Sequence, residues 1–361
     1  MRRFKLVLSI LVTAGVATAL LPSCGVGYIV RSGYYQAELL ARREPIADVL
    51  AGGTLSAGEE QRLRLIPEIK RYGLGMGLAS TENYDSVSIG WDHTIWNLSA
   101  CAPLAFEPVT WWFPVVGRVP YLGFFTTESA ETRAAPLREQ GYDVHLRTAG
   151  AYSTLGWFRD PVLPGMLRWS EAQLAETVFH ELAHATLWVP GSVDFNESFA
   201  NFTGESAVRR YLSDTYGPES EELMKLDREN RDYARYEAIL HGLYKNLDEV
   251  FTDDTLPPEE KLSRKTALYA SLESRVLTSD IEDKAPWVAS IRRTPWNNAR
   301  LMQFRSYNSN EEWFQVLLDR NKGDVKAFIE EVGRVTKGER DPFVALARAA
   351  DPNIVDSVKN P

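Results

Sequence analysis

Ser170-Glu-Ala-Gln-Leu-Ala-Glu-Thr-Val-Phe-His-Glu-Leu-Ala-His-Ala185, then Pro190-Gly191, then Phe195-Asn-Glu-Ser-Phe-Ala-Asn-Phe202, reads as two helices joined by a sharp turn. Ser170 can cap the first helix, with Gln173 three residues on completing a capping box, and Pro190-Gly191 stops it. Leu174, Val178, Leu182 and Ala185 recur at helical spacing and form the face expected to be buried. Phe195, Phe199 and Phe202 make a second apolar stripe, so the chain is expected to return antiparallel to the first helix.

The chemistry lies on another face of the first helix. His180 and His184 are one turn apart, so both imidazoles can reach a single metal ion. Glu181 is adjacent to the first of them, where a carboxylate can hydrogen-bond a metal-bound water without binding the metal. His180-Glu-x-x-His184 is the arrangement of zinc hydrolases. The chain has only five histidines, and two fall in this pattern. A catalytic zinc site needs a third protein ligand and leaves a fourth position for water. The antiparallel return would bring Glu197 beside the two histidines, with Glu205 as the reserve. Standing alone, Glu197 would read as an ordinary first-turn glutamate favoured by the helix dipole.

Outward from this hairpin the chain divides by composition. Residues 25–50 read as a linker entering a helix with Tyr34, Tyr35, Leu39 and Leu40, broken at Gly52-Gly53. Residues 56–72 read as a second helix, kinked at Pro67. From Trp91 to Phe125, aromatic and β-branched residues punctuated by prolines and glycines predict short strands, with Trp111-Trp112 in the core. A helix is expected over 127–140, and strands over 142–148 and 151–158. The segment 151–157 reads either as an edge strand that pairs with an extended peptide or as an interior strand. Beyond Glu219 the chain is helical: a hairpin over 219–277, with helices over 219–250 and 258–277, then helices over 297–307, 311–321 and 324–337. The expected class is α+β, mostly helical, with a small strand region before the His-Glu helix.

Composition restricts the function. Of 361 residues, 40 are Lys or Arg and 49 are Asp or Glu, a formal charge of −9 that argues against nucleic acid as a partner. Arg2, Arg3 and Lys5 precede an apolar run from Leu6 to Leu21, too short for a membrane span of about 20 residues but suited to a signal sequence. Leu21-Pro22-Ser23-Cys24-Gly25 resembles a lipobox. Residues 1–23 are therefore expected to be a lipoprotein signal peptide, with lipidated Cys24 anchoring residues 24–361 to a membrane on its periplasmic side. Cleavage takes the charge from −9 to −12 and leaves Cys101 as the sole free thiol. An uncleaved anchor helix is the alternative. Gly25, where an aspartate would retain the protein at the inner membrane, favours the outer one.

His180-Glu-Leu-Ala-His184 followed by Asn196-Glu197-Ser-Phe-Ala200 resembles the gluzincin metallopeptidases, with a shorter spacer than their large aminopeptidase members. A closer resemblance is to a bacterial family of zinc aminopeptidases known from their motif, many of them lipoproteins. It is carried by Tyr34-Tyr-Gln-Ala37, Phe113-Pro-Val-Val-Gly117, Ala151-Tyr-Ser-Thr-Leu-Gly-Trp-Phe158, Asp160-Pro-Val-Leu163, the zinc segment, and Asn297-Asn-Ala-Arg-Leu301 with Tyr307. The resemblance implies one zinc per chain, a peptide substrate, Glu181 as general base, and a tyrosine hydroxyl stabilising the oxyanion. Tyr307 is the candidate for that role, with Tyr233 and Tyr236 as rivals. Asn201 occupies the position from which some gluzincins orient a zinc histidine with an aspartate. An aminopeptidase also needs acids for the substrate amine, for which Glu176 and Asp160 are candidates. His93, His145 and His241 read as structural or surface residues. The competing readings are a zinc endopeptidase and a catalytically silent lipoprotein that uses the fold as a binding module.

Overall fold

The computed structural model describes residues 25–113, 117–150, 159–305 and 311–351. The signal segment, Cys24, the 151–158 strand and Tyr307 lie outside the described residues. The chain runs through helices α1 (Gly25–Ala41), α2 (Ile46–Gly52) and α3 (Ala57–Gly75), with strands β1 (Glu44–Pro45) and β2 (Ser86–Val87) on either side of the last two. Strands β3 (Trp96–Cys101), β4 (Trp111–Phe113), β5 (Gly117–Val119) and β6 (Tyr121–Phe124) lead into α4 (Thr127–Glu139) and β7 (Asp143–Thr148). A 3₁₀ turn (Pro164–Arg168) then enters α5 (Glu171–Thr186), α6 (Val193–Tyr216) and the long α7 (Glu221–Thr252). The remainder is helical: α8 (Pro258–Ala270), α9 (Leu272–Thr278), α10 (Ala285–Arg293), α11 (Asn298–Arg305), α12 (Glu311–Arg320), α13 (Val325–Thr336) and α14 (Pro342–Ala350). This is a mostly helical α+β fold with small antiparallel sheets.

The main sheet is antiparallel in the order β6-β3-β7, with Leu98 of β3 opposite both Leu122 and Leu146. Helix α4 covers one face through Ala130 and Ala134. The largest core joins α3, α5, α6, α12 and α13. Phe195, Phe199 and Phe202 of α6 pack there against Phe314 and Phe328, at ring separations of 5.3–6.3 Å. Burying each such ring contributes about 1.5–3 kcal/mol. A separate core lies between α7 and α9–α11, around Leu240, Leu243, Leu247, Leu272 and Val276.

Several boundaries differ from the sequence reading. Residues 25–41 are already helix, and a further break falls at Arg42–Pro45, because the residue before a proline disfavours the α conformation, while the expected break at Gly52-Gly53 ends α2 with Gly53 at φ +62°. Pro67 lies within α3, which continues past it to Gly75. The 258–277 stretch is two helices meeting at Ser271. Its hairpin partner α7 is solvated on one side only, since its leucines face the second core. Ala185 is exposed, whereas Ala175, Phe179 and Ala183 are buried, because α5 is covered on two sides, by α3 and by α6. Trp112 is 64% exposed on the two-stranded β4-β5 ribbon, and only Trp111 reaches a core. Among the described residues no helix is long and apolar enough to cross a membrane.

Two features position the hairpin that carries the histidines. The buried Asn196 side chain accepts from Val189 N at 2.8 Å and donates to Val189 O at 2.9 Å, clamping the turn in which Gly191 takes φ +80°. Farther along, a Cβ at Gly204 would lie 3.1 Å from the Glu176 carbonyl oxygen and 3.3 Å from the His180 nitrogen. Both neighbours are helix backbone and cannot turn aside. We expect Gly204→Val to lower the unfolding free energy by about 2–3 kcal/mol in urea titration, whereas an unchanged midpoint would show that α5 and α6 tolerate separation.

His145, on β7, is buried, and its pKa is pushed down to about 4, first by burial and then by Arg300 and Arg147. Between pH 6.5 and 4 the unfolded chain takes up a proton that the folded one refuses, so stability falls as the pH drops through that window. The loss from this residue is about 3 kcal/mol at most. Stability measured against pH should be flatter over that window in His145→Gln, and an identical slope would remove the assignment.

Candidate metal centre

Helix α5 starts as its sequence demands. Ser170 Oγ accepts from Gln173 N at 3.2 Å and Gln173 Oε1 accepts from Ser170 N at 3.1 Å. The helix then carries His180, Glu181 and His184 to the face opposite the first turns of α6. The Nε2 atoms of His180 and His184 lie 3.0 Å apart. Glu197 Oε2 is 3.7 Å from His180 Nε2, and its Oε1 is 3.6 Å from His184 Nε2. Tetrahedral zinc bonded at about 2.0–2.2 Å holds its ligand atoms about 3.4 Å apart. The three separations bracket that value, so the donor set fits zinc in both chemistry and spacing. Among the described residues this is the one group of three or more His, Cys, Asp or Glu side chains close enough to hold an ion.

The protonation states suit a ligand set. Burial pushes the His180 pKa down to about 4, helped by His184 and opposed by Glu197 and Asn201, so the ring is neutral and free to donate its lone pair near neutral pH. Burial alone would raise the Glu197 pKa, but the His184 hydrogen bond and the two imidazoles outweigh it and hold the carboxyl below its usual range. Asn201 lies beside His180 and favours its protonated form. An amide here does what a carboxylate would do in fixing the ring, without adding charge. Trp188 lies edge-on to His184 at 5.6 Å. Glu181 is 8% exposed beside His180.

Other candidates separate clearly. Glu205 lies two turns beyond Glu197, where it accepts from Asn230 Nδ2 at 2.8 Å, and it is outside the ligand group. Tyr236 is buried in the second core, stacked on Trp287 at 4.3 Å, which fits it for packing. Tyr233 is 41% exposed and hydrogen-bonds Glu237 in a field that also includes Glu311 and Glu176. Glu176, one turn before His180, is crowded by protein and by Glu205, and its pKa is pushed up to about 7. Glu205 and Glu311 are raised as well, chiefly by burial. Asp160 is 1% exposed, with its carbonyl oxygen accepting from Tyr84 N at 2.8 Å. His93 packs edge-on against Trp91 and Tyr35, His241 is exposed on α7, and Cys101 is a buried free thiol raised to about 12 by burial.

Tyr84 is a residue that sequence reasoning passes over. It is 2% exposed, its backbone takes φ +60°, and its hydroxyl has no hydrogen-bond partner among the described residues. Burial first, then the charges of Glu181 and Asp160, hold that hydroxyl protonated. It sits far from the motif in sequence and within no recognisable pattern, so only the fold reveals it.

Zinc retention should follow this geometry. Glu197→Ala is expected to lose most bound zinc after dialysis while Glu205→Ala keeps it, and the reverse result would move the third ligand. Asn201→Leu should weaken zinc binding about tenfold or more in chelator competition; unchanged affinity would make its place beside His180 incidental.

No curated protein and no solved structure matches the chain. Residues 27–342 match the family described as "Putative aminopeptidase". That span runs from α1 to the start of α14 and includes the whole histidine–glutamate hairpin, so the chain belongs to this aminopeptidase family.

Proposed function

We propose that the protein is a zinc-dependent aminopeptidase of the gluzincin type, tethered to the bacterial cell envelope through lipidated Cys24, probed most directly at Glu181. The observation that carries this reading is the convergence of His180, His184 and Glu197 on one point, with Glu181 buried beside the first of them. Three protein ligands leave a coordination position open, whereas a purely structural zinc site closes with four. Zinc bound there would supply Lewis acidity, lowering the pKa of a bound water and polarising the scissile carbonyl.

The remaining steps belong to this chain's own side chains. Glu181 accepts the water proton during attack and delivers it to the leaving amine. Glu197 would complete the ligand set with the two imidazoles, and Asn201 supports the His180 ring. Glu176, with Glu205 and Glu311 near it, lies one turn from His180 and, once ionised above about pH 7, is suited to a protonated substrate amine. Tyr307 remains the candidate oxyanion donor, with Tyr233 its rival by exposure.

Metal content and turnover test this together. The purified protein should carry about one zinc per chain. Glu181→Gln should retain it while peptide hydrolysis falls about 10²- to 10⁴-fold. Free-amine peptides should be cleaved and their N-acetyl counterparts spared. Equal cleavage of both would turn the assignment to an endopeptidase, and turnover surviving in Glu181→Gln would remove the general base. A protein that binds no zinc even when supplied with it would be a silent member of the family.

A further inference from the structure

The family-like Asn297-Asn-Ala-Arg300 segment is not used by the metal centre. Asn297 Nδ2 donates to Val144 O at 2.9 Å, and Asn298 N donates to Asp143 Oδ2 at 2.8 Å. Asn298 Nδ2 donates to Ala102 O at 2.9 Å, so the start of α11 is stitched to the ends of β3 and β7. This fixes Arg300 at the wall of a cavity of about 800 Å³ between β7, α10 and α11. His145, Arg147 and Arg293 line the same cavity, and Tyr233 of α7 forms its far wall.

Arg300 is 8% exposed, with its guanidinium over the Trp296 ring at 4.1 Å. Its hydrogen-bond partners are all neutral: Ser290 Oγ at 2.8 Å, Ser290 O at 3.5 Å and Thr294 O. Among the described residues Arg300, Arg147 and Arg293 form no ion pair, although acids outnumber bases in the chain and arginines elsewhere pair readily. A buried guanidinium without a counter-charge is costly, and two further arginines facing the same space add repulsion. The Arg300 fork is held rigidly by backbone and hydroxyl oxygens, while Arg147 and Arg293 are exposed and free to close on a ligand. Such an arrangement is relieved by an oxyanion that accepts from several guanidinium groups at once.

We propose that Arg147, Arg293 and Arg300 form a carboxylate-binding subsite that receives a carboxylate of the peptide substrate. The choice of a peptide carboxylate rests on the aminopeptidase reading and on Tyr233. One side of Tyr233 lines this cavity, and its hydroxyl lies in the field of Glu176, one turn from His180. Tyr233 thus stands between the acids near Glu176 and the arginines of the cavity, an arrangement suited to a peptide that carries both an amine and a carboxylate. The carboxylate can come from the C-terminus of a short peptide or from an acidic side chain.

Calorimetry on the zinc-loaded Glu181→Gln protein separates binding from turnover. The probes are trialanine, its C-terminal amide, and an amidated tripeptide with glutamate in the last position. Trialanine should bind at least about tenfold more tightly than its amide. Recovery of affinity in the glutamate peptide would assign the subsite to acidic side chains as well, and no recovery would restrict it to the C-terminus. The double variant Arg147→Gln/Arg293→Gln alters exposed residues only and should bring the acid-to-amide ratio to about one without changing zinc content, and, because it relieves repulsion around Arg300, without lowering the unfolding midpoint. Arg300→Lys keeps the buried charge but loses the fork, and should reduce the ratio in part. Equal binding of acid and amide, or a preference that survives the double variant, overturns the subsite. If wild-type protein hydrolyses both peptides without preference, the subsite fails while the peptidase reading stands. If it hydrolyses neither yet binds the acid through the arginines, the subsite stands and the peptidase reading fails.

Discussion

The contact between α5 and α6 at Gly204 controls the metal centre although Gly204 touches no ligand atom. Two helices normally pack about 8–10 Å apart, at a distance set by the side chains between them. Here the absence of a side chain lets α6 lie against the Glu176 carbonyl and the His180 nitrogen. Because the helices are antiparallel, closeness at residue 204 is inherited one turn back at Asn201, which reaches His180, and two turns back at Glu197, which reaches both imidazoles. The Asn196 bracket at Val189 sets the register at the other end of the same pairing. A turn clamp and a close crossing thus place one carboxylate, on a helix whose opposite face is held by Phe314 and Phe328.

A second constraint holds the sheet to the C-terminal helices. Lys265, 6% exposed, donates to Asp143 Oδ2 at 2.6 Å and to Pro103 O at 2.8 Å, and Asp143 also accepts from Asn298 N. Removing one partner of such a buried pair strands the other charge, so the interaction acts as a locator more than as a source of stability. It joins β7, α8 and the start of α11, three segments far apart in sequence. The sheet is only three strands wide, and this tie, with the Asn297 hydrogen bond to Val144 O, fixes its β7 edge against the C-terminal helices.

The α5–α6 hairpin is legible in the sequence because its signals are local and agree. Capping box, apolar stripe, turn residues and histidine spacing all fall within a short stretch and point to one arrangement. Glu197 is preferred over Glu205 only by assuming an antiparallel return, which the geometry at His180 and His184 matches. Less legible are features decided by distant partners. Ala185 has the spacing of a core residue but lies on the arc that neither α3 nor α6 covers, while Ala175 and Ala183 are enclosed by both. Trp112 looks like core by type, but the ribbon that carries it has one face in water. Helices α10 and α14 are too short for their periodicity to stand out from the surrounding chain, and Tyr84 has no pattern to announce it.

Charge is where local reading is weakest and where the fold adds most. A net charge of −9 suggests a uniformly acidic surface, yet the structure segregates the two signs. Glu176, Glu205 and Glu311 come from α5, α6 and the start of α12, and all three are pushed toward the neutral form. Arg147, Arg293 and Arg300 come from β7, α10 and α11 and face one cavity with no acid paired to them among the described residues. Either group alone could be a tolerated imperfection of a large fold. Their meeting at Tyr233, which lines the cationic cavity while feeling Glu176 and Glu311, is harder to assign to chance, since salt bridging between the groups would have stabilised both. Keeping them apart across one side chain leaves the arginines without a counter-charge among the described residues, and a peptide with free ends is a molecule that fits between the two groups.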